Sequence, residues 1–276
     1  MLVKLLIALL VVWGVAVAGL LLMETRMVFP APELPRSALQ AEARRLGVQE
    51  RTVVNAQGMP LYAWRRGDAD KLVLFFSGNA ATVGGWQERE ERYLERGFAT
   101  LHVNYRGYPG SPGVPSEDGL ITDGLAAWEE ALRTHPPERI LVHAKSLGGG
   151  VALGVLSQIE GPGPAGLILE STFKSIANVA WRRFPVVPAG LLMRSPFRSI
   201  DRAPQVAVPT LVTHSQADEL IPVSHGRALA EALPNARYVE VADVDHNADL
   251  ELLPEPAEAV ERFLGELGLS NPPAAD

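Results

Sequence analysis

Residues 139–148, Arg139-Ile140-Leu141-Val142-His143-Ala144-Lys145-Ser146-Leu147-Gly148, decide the fold. The apolar run to His143 reads as a strand, and the small residues Gly149 to Gly154 read as the start of a helix. A serine at a sharp turn between strand and helix is the setting of a nucleophile elbow, where a strained backbone holds the hydroxyl exposed above a sheet. Strand and helix pass close together there, so small residues are needed two positions to each side. Gly148 meets that need; Ala144 stands where glycine is usual and adds one methyl group. Five residues alone leave a plain strand-to-helix connection equally open.

Outward from the elbow, strands and helices alternate. Residues 48–55 and 59–66 form two strands joined by a turn at 56–58. Residues 72–76 are a buried strand, 86–96 a helix and 98–103 the next strand. After a Gly/Pro-rich loop, Ser116 caps a helix over 117–133 whose apolar stripe takes in Leu120, Ile121, Leu125, Trp128, Ala131 and Leu132. Strands follow at 166–169, 210–213 and 237–241, with helices at 225–233 and from Pro256 onward. This predicts an α/β fold, a doubly wound and mostly parallel sheet with the first hairpin as its antiparallel edge. Sites in such sheets collect at the carboxyl ends of strands, where Ser146 lies.

Residues 5–23 carry no charge and as a helix would cross about one bilayer core of roughly 30 Å. Ala16-Val17-Ala18 resembles a signal-peptidase site, but the apolar run continues beyond it, which favours an uncleaved anchor. The expected organisation is an anchor over 1–24, a Pro-rich linker and short helix over 25–47, a catalytic domain over 48–269 and a flexible tail over 270–276. Lys4 on one side and Arg26 on the other barely set the orientation; the short N-tail favours an exported domain, a single-pass protein facing out of the cytoplasm.

The chain has 276 residues, a net charge of -7 and no cysteine. The acidic balance argues against general nucleic-acid binding. Without cysteine there are no disulfides, thiolate catalysis or cysteine-held metals. No phosphate-cradling glycine motif or metal cluster stands out, so no cofactor is expected; oligomeric state is not legible.

A serine nucleophile needs a base and a third group to orient it. In elbow-type hydrolases the chain order is serine, acid, histidine. Of the histidines after Ser146, His214 ends a strand and His225 sits in a helix, whereas His246 occupies a short polar loop after the last strand. His246 is therefore the candidate base. Asp218, in the loop after the preceding strand, is the candidate acid, with Glu170 as runner-up. The backbone N–H of Leu147 is one oxyanion donor, and that of Asn79, or failing it Ala80, the second.

Phe76-Ser77-Gly78-Asn79-Ala80, Asn104–Tyr108, Gly113–Glu117, the elbow, Leu169–Ser171, Pro209–Ser215 with Asp218, and Asp245–Asn247 together resemble the α/β-hydrolase superfamily. The resemblance is nearest to single-span, membrane-anchored serine hydrolases that include depalmitoylating and lipid-cleaving α/β-hydrolase-domain proteins. It implies a Ser146, Asp218, His246 triad. Ser77 departs from the usual histidine before the glycine, as Ala144 does in the elbow.

The segment 172–208 is expected as a short cap. It mixes apolar residues with Arg182, Arg183, Arg194, Arg198 and Arg202, which suits either an anionic bilayer surface or an ordinary solvated face. The expected function is hydrolysis of a small or lipid-like acyl ester or thioester, rising with pH as a histidine base loses its proton. The alternatives are a peptidase of the same fold and a membrane-tethered binding module.

Overall fold

A computed structural model describes residues 1–270; most of the expected tail, 271–276, lies outside the described residues. Among the described residues the strands are β1 (Gln49–Val54), β2 (Pro60–Arg66), β3 (Leu72–Phe76), β4 (Ala99–Val103), β5 (Ile140–Lys145), β6 (Gly166–Glu170), β7 (Thr210–Ser215) and β8 (Ala236–Val241). They form one sheet in the order β1-β2-β4-β3-β5-β6-β7-β8. The β1–β2 and β2–β4 pairings are antiparallel and all others parallel. Every residue of β3, β4 and β6 is buried, as strands covered by helices on both faces require. The chain order reverses at β3, between β4 and β5, and the elbow stands at that switch point.

Helices α1 (Leu2–Val28), α2 (Arg36–Leu46), α3 (Gln87–Glu95) and α4 (Glu117–Leu132) precede the elbow. After it come α5 (Leu147–Leu156), α6 (Ile176–Arg183), α7 (Ala189–Leu192), α8 (Ser199–Arg202), α9 (Ser224–Ala232) and α10 (Pro254–Glu266). One core lies under α4 and α5, where Leu120, Ile121, Trp128, Val151 and Val155 meet β3, β5 and β6. A second lies under α3 and α10, where Tyr93, Val260 and Phe263 meet Val73, Phe75 and Ile168, and a smaller third joins Leu39 and Ala43 of α2 to Tyr62 and Trp64 of β2. Ser116 caps α4 by accepting the Gly119 amide at 3.2 Å. Leu132, expected in the apolar stripe of α4, is instead 39% exposed as the last residue of that helix.

α1 is long and apolar enough to cross a bilayer. It continues through Val28, past the expected anchor boundary at Glu24, because the first helix-breaking residue is Pro30. Its first half is exposed, but Val17, Glu24 and the following Phe29 are buried, Glu24 against the cap formed by α6, α7, α8 and the turns between them. The Phe29 ring packs on Phe197 of that cap at 6.1 Å between centroids.

Candidate active site

Ser146 occupies a backbone conformation with φ 51° and ψ -117°. A positive φ costs a non-glycine residue energy, so the surroundings must hold it. They do so on three sides. The Ser146 amide donates to the Glu170 carbonyl at 2.9 Å, while the Thr172 hydroxyl and the Gly149 amide donate to the Ser146 carbonyl at 2.7 and 3.0 Å. Behind the turn the end of β3 passes so close that a Cβ on Gly148 would lie 1.9 Å from the Phe76 carbonyl oxygen. The Ala144 methyl is fully buried in the main core, which absorbs that departure from glycine.

The three predicted side chains meet at the carboxyl edge of the sheet. His246 Nε2 lies 3.0 Å from Ser146 Oγ, and His246 Nδ1 lies 2.7 Å from Asp218 Oδ2. Ser146, Asp218 and His246 are each less than 10% exposed. Burial pushes the Asp218 carboxyl up, but hydrogen bonds from His214, His246 and the Ile221 amide outweigh it and hold the group well below the usual carboxylate range. Asp218 is thus ionised and can only accept. It follows that His246 Nδ1 carries the proton and Nε2 is free to accept from the serine hydroxyl.

Asp218 is itself fixed by the amides of Leu220 and Ile221, at 3.0 and 2.7 Å from Oδ1. His214 Nε2 donates to the Ile221 carbonyl at 2.8 Å and lies 3.4 Å from Asp218 Oδ2. His214 therefore supports the acid rather than acting as a base. The runner-up acid, Glu170, makes no bond to His246. It accepts from Arg89 at 2.6 and 3.1 Å and from Lys145 at 2.7 Å. Burial raises its carboxyl, but Arg89 and then Lys145 hold it well below the ordinary range.

Lys145 is the residue that sequence reasoning passed over. Its ammonium bridges Glu170 to the Ala248 carbonyl, two residues past His246, at 2.5 Å. Arg89 and Arg92 hold the neighbouring Asp249, and Ser215 Oγ donates to the Val244 carbonyl at 2.6 Å. The loop carrying His246 is thereby tied down on both sides. Lys145→Met is expected to lower kcat by roughly tenfold with little change in KM, because a displaced base costs proton transfer rather than binding. Unchanged steady-state kinetics in a folded variant would remove the positioning role.

His225 lies near Asp218, and its Nδ1 accepts the Lys174 amide at 3.2 Å. Burial, with Lys174 next, lowers its pKa to about 4. The folded state thus binds the proton less well than the unfolded chain, whose histidine titrates near ~6.5. Stability is full above that value and falls as pH drops from 6.5 towards 4, by roughly 2 kcal/mol once solvent screening is allowed for. Urea denaturation across this window checks it: His225→Asn should flatten the slope, and an unaltered slope would assign the effect elsewhere.

Asn79, Ser146 and Leu147 line one cavity of about 670 Å³. Its walls are mainly apolar: Phe173, Ile176, Val179 and Phe184 from the cap side, and Leu20 and Leu21 from α1. Arg182 and Arg183 also face it. The other cap arginines are partly spent, Arg202 on Glu117 at 2.6 Å and Arg198 on the Gly190 carbonyl at 3.1 Å. Among the described residues no group of three or more His, Asp or Glu is placed to hold a metal ion.

The family described as serine aminopeptidase S33 (Hydrolase_4) matches residues 67–196. An uncharacterized protein of Mycobacterium tuberculosis is 37% identical over 224 residues, covering 78% of each chain. Human alpha/beta hydrolase domain-containing protein 17C is 34% identical over 200 residues, which is 70% of this chain and 57% of that protein. Among solved structures, an esterase from Pyrococcus furiosus superposes with a TM-score of 0.66 at 18% identity, covering 80% of this chain and 91% of its own. A thermophilic esterase from Thermogutta terrifontis gives 0.62 at 20% identity, covering 79% and 99%.

Proposed function

The chain belongs to the α/β-hydrolase superfamily, and on that premise we propose that it is a membrane-anchored serine hydrolase of carboxylic esters or thioesters. The observation that carries this is the hydrogen-bond chain from Ser146 through His246 to Asp218 at the floor of an apolar cavity. Ser146 Oγ attacks the acyl carbonyl as His246 Nε2 takes its proton, and Asp218 stabilises the imidazolium. The amides of Leu147 and Asn79 receive the developing oxyanion. Collapse breaks the bond to the alcohol or thiol, which leaves with the proton from His246. Water, deprotonated by the same imidazole, then attacks the acyl-enzyme, and the carboxylic acid departs as Ser146 regains its proton.

The name of the matched family raises a peptidase, and esterases among the structural neighbours favour an ester. The apolar lining supports the ester reading. An aminopeptidase needs a carboxylate to hold the substrate ammonium; Glu24 is committed to the Arg194 and Ser195 amides, Glu219 stands at the cavity wall, and two arginines face the same space. An acyl chain needs only the apolar walls. α1 is taken as a retained anchor because cleavage after Ala18 would remove Trp13, whose indole donates to the Val186 carbonyl of the cap. The domain is proposed to face out of the cytoplasm. Protease added to spheroplasts should digest it; protection until lysis would reverse the orientation.

The full chain in detergent should release acid from oxygen or sulfur esters of graded length, with long chains preferred over acetyl. Hydrolysis of aminoacyl amides in place of esters would move the assignment to the peptidase.

A further inference from the structure

α1 does more than tether. Its indole at Trp13 donates to the Val186 carbonyl at 3.0 Å, and its Glu24 carboxylate accepts the amides of Arg194 and Ser195 at 2.9 and 2.8 Å. The cap is thus bound along roughly 16 Å of helix, from Glu24 back to Trp13. Trp13 lies near the middle of the uncharged run 5–23. The part of α1 ahead of Val17 is only roughly 22 Å long, short of a hydrocarbon core of about 30 Å. An α1 that spans the bilayer must therefore carry the cap segment into it.

The segment is built for that solvent. Residues 184–193 contain no charge, and Val186 and Leu191 are 70% and 86% exposed. Backbone donors in lipid must be satisfied internally. Six of the eight amides in the run, those of Phe184, Val187, Ala189, Leu191, Leu192 and Met193, donate to a carbonyl within the cap, Pro185 and Pro188 have no amide proton, and the Val186 and Gly190 amides find no acceptor among the described residues. The Val186 and Gly190 carbonyls are taken by Trp13 and Arg198. Arginines bracket the run, Arg182 and Arg183 before it and Arg194 and Arg198 after it. Arg194 stands level with Glu24, where α1 leaves its uncharged run, as a side chain reaching lipid phosphates should. Val187, Ala189 and Met193 of this segment line the cavity over Ser146 together with Leu20, Leu21 and Met27 of α1.

We propose that cap residues 184–193 are immersed in the same leaflet as the second half of α1, with the flanking arginines among anionic phosphates. The acyl chain of a bilayer-resident ester then reaches Ser146 sideways, between α1 and the cap, without crossing water. The proposal rests on the reading of α1 as a retained anchor.

The absence of cysteine makes the test direct. Full-length Leu9→Cys, Val186→Cys, Leu191→Cys and Val114→Cys variants are spin-labelled and reconstituted in phosphatidylcholine–phosphatidylglycerol vesicles. Val114, 73% exposed in the loop before α4, is the aqueous reference. Labels at 186 and 191 should collide with oxygen and be shielded from a water-soluble nickel chelate, as at Leu9. Nickel access equal to that at Val114, with Leu9 still in lipid, overturns the proposal while leaving the anchor intact. A Leu9 label open to nickel fails the anchor instead, and shielding of 186 and 191 from both reagents means burial between copies of the chain and likewise overturns it. In activity, Leu191→Glu should lower hydrolysis of a long-chain ester dissolved in the vesicles by about tenfold and of a soluble short ester by less than about twofold. Equal effects on both substrates contradict entry from the bilayer.

Discussion

Ser146→Ala is expected to lower ester hydrolysis by roughly 10⁵-fold or more, because no other hydroxyl is offered to His246 Nε2. The expectation separates chemistry from folding. Alanine keeps the Cβ, and the bonds that hold the turn run through the Ser146 amide and carbonyl rather than its Oγ. Stability should therefore stay within about 1 kcal/mol of the parent. His246→Ala should cost a similar factor, and the double variant little more, since groups acting as a unit do not add. Asp218→Asn should cost about 10⁴-fold, because an amide can present its N–H to Nδ1 and favour the wrong tautomer. A Ser146→Ala protein that keeps a tenth of the parent rate would place the nucleophile elsewhere.

Gly148→Ala is expected to damage the fold as severely as Ser146→Ala damages the chemistry. The added methyl would stand 1.9 Å from the Phe76 oxygen, 2.4 Å from its carbon and 2.8 Å from the Ser77 oxygen. All three are backbone atoms, so no rotamer change relieves the overlap, and the end of β3 must move away from α5. That displacement should cost about 3 kcal/mol or more, lowering Tm by roughly 6–12 °C for a domain of this size. It also shifts Ser77 to Asn79, so the proposed oxyanion amide leaves its place and the rate falls. Gly190→Ala is the control, with nothing within 4 Å of the new methyl. A Gly148→Ala chain that melts with its parent would contradict the close approach of strand and helix.

The elbow was legible because its demands are local: an apolar strand, a serine, and a small residue two positions on. Asp218 and His246 were found by chain order, since each follows the end of a strand at the same edge of the sheet. What escaped were contacts between residues far apart in sequence that leave no periodic trace. Lys145 carries no sequence signal of a role within the elbow, yet it reaches Ala248 across 103 positions. Glu24 looked like the end of an apolar run, yet it binds amides 170 and 171 positions away. An apolar run reports length and hydrophobicity but not which face finds a partner, so nothing in residues 5–23 marked Leu20 and Leu21 as cavity wall. Counting arginines in the cap likewise overstated its free charge, because Arg202 is paired with Glu117.

The most direct test of the central claim is labelling of the full-length protein with a fluorophosphonate, followed by mapping of the modified peptide. An activated serine should give one adduct, on Ser146, absent in Ser146→Ala and strongly reduced in His246→Gln. A folded parent that takes up no label, or takes it up on another residue, would contradict the assignment of Ser146 as the nucleophile.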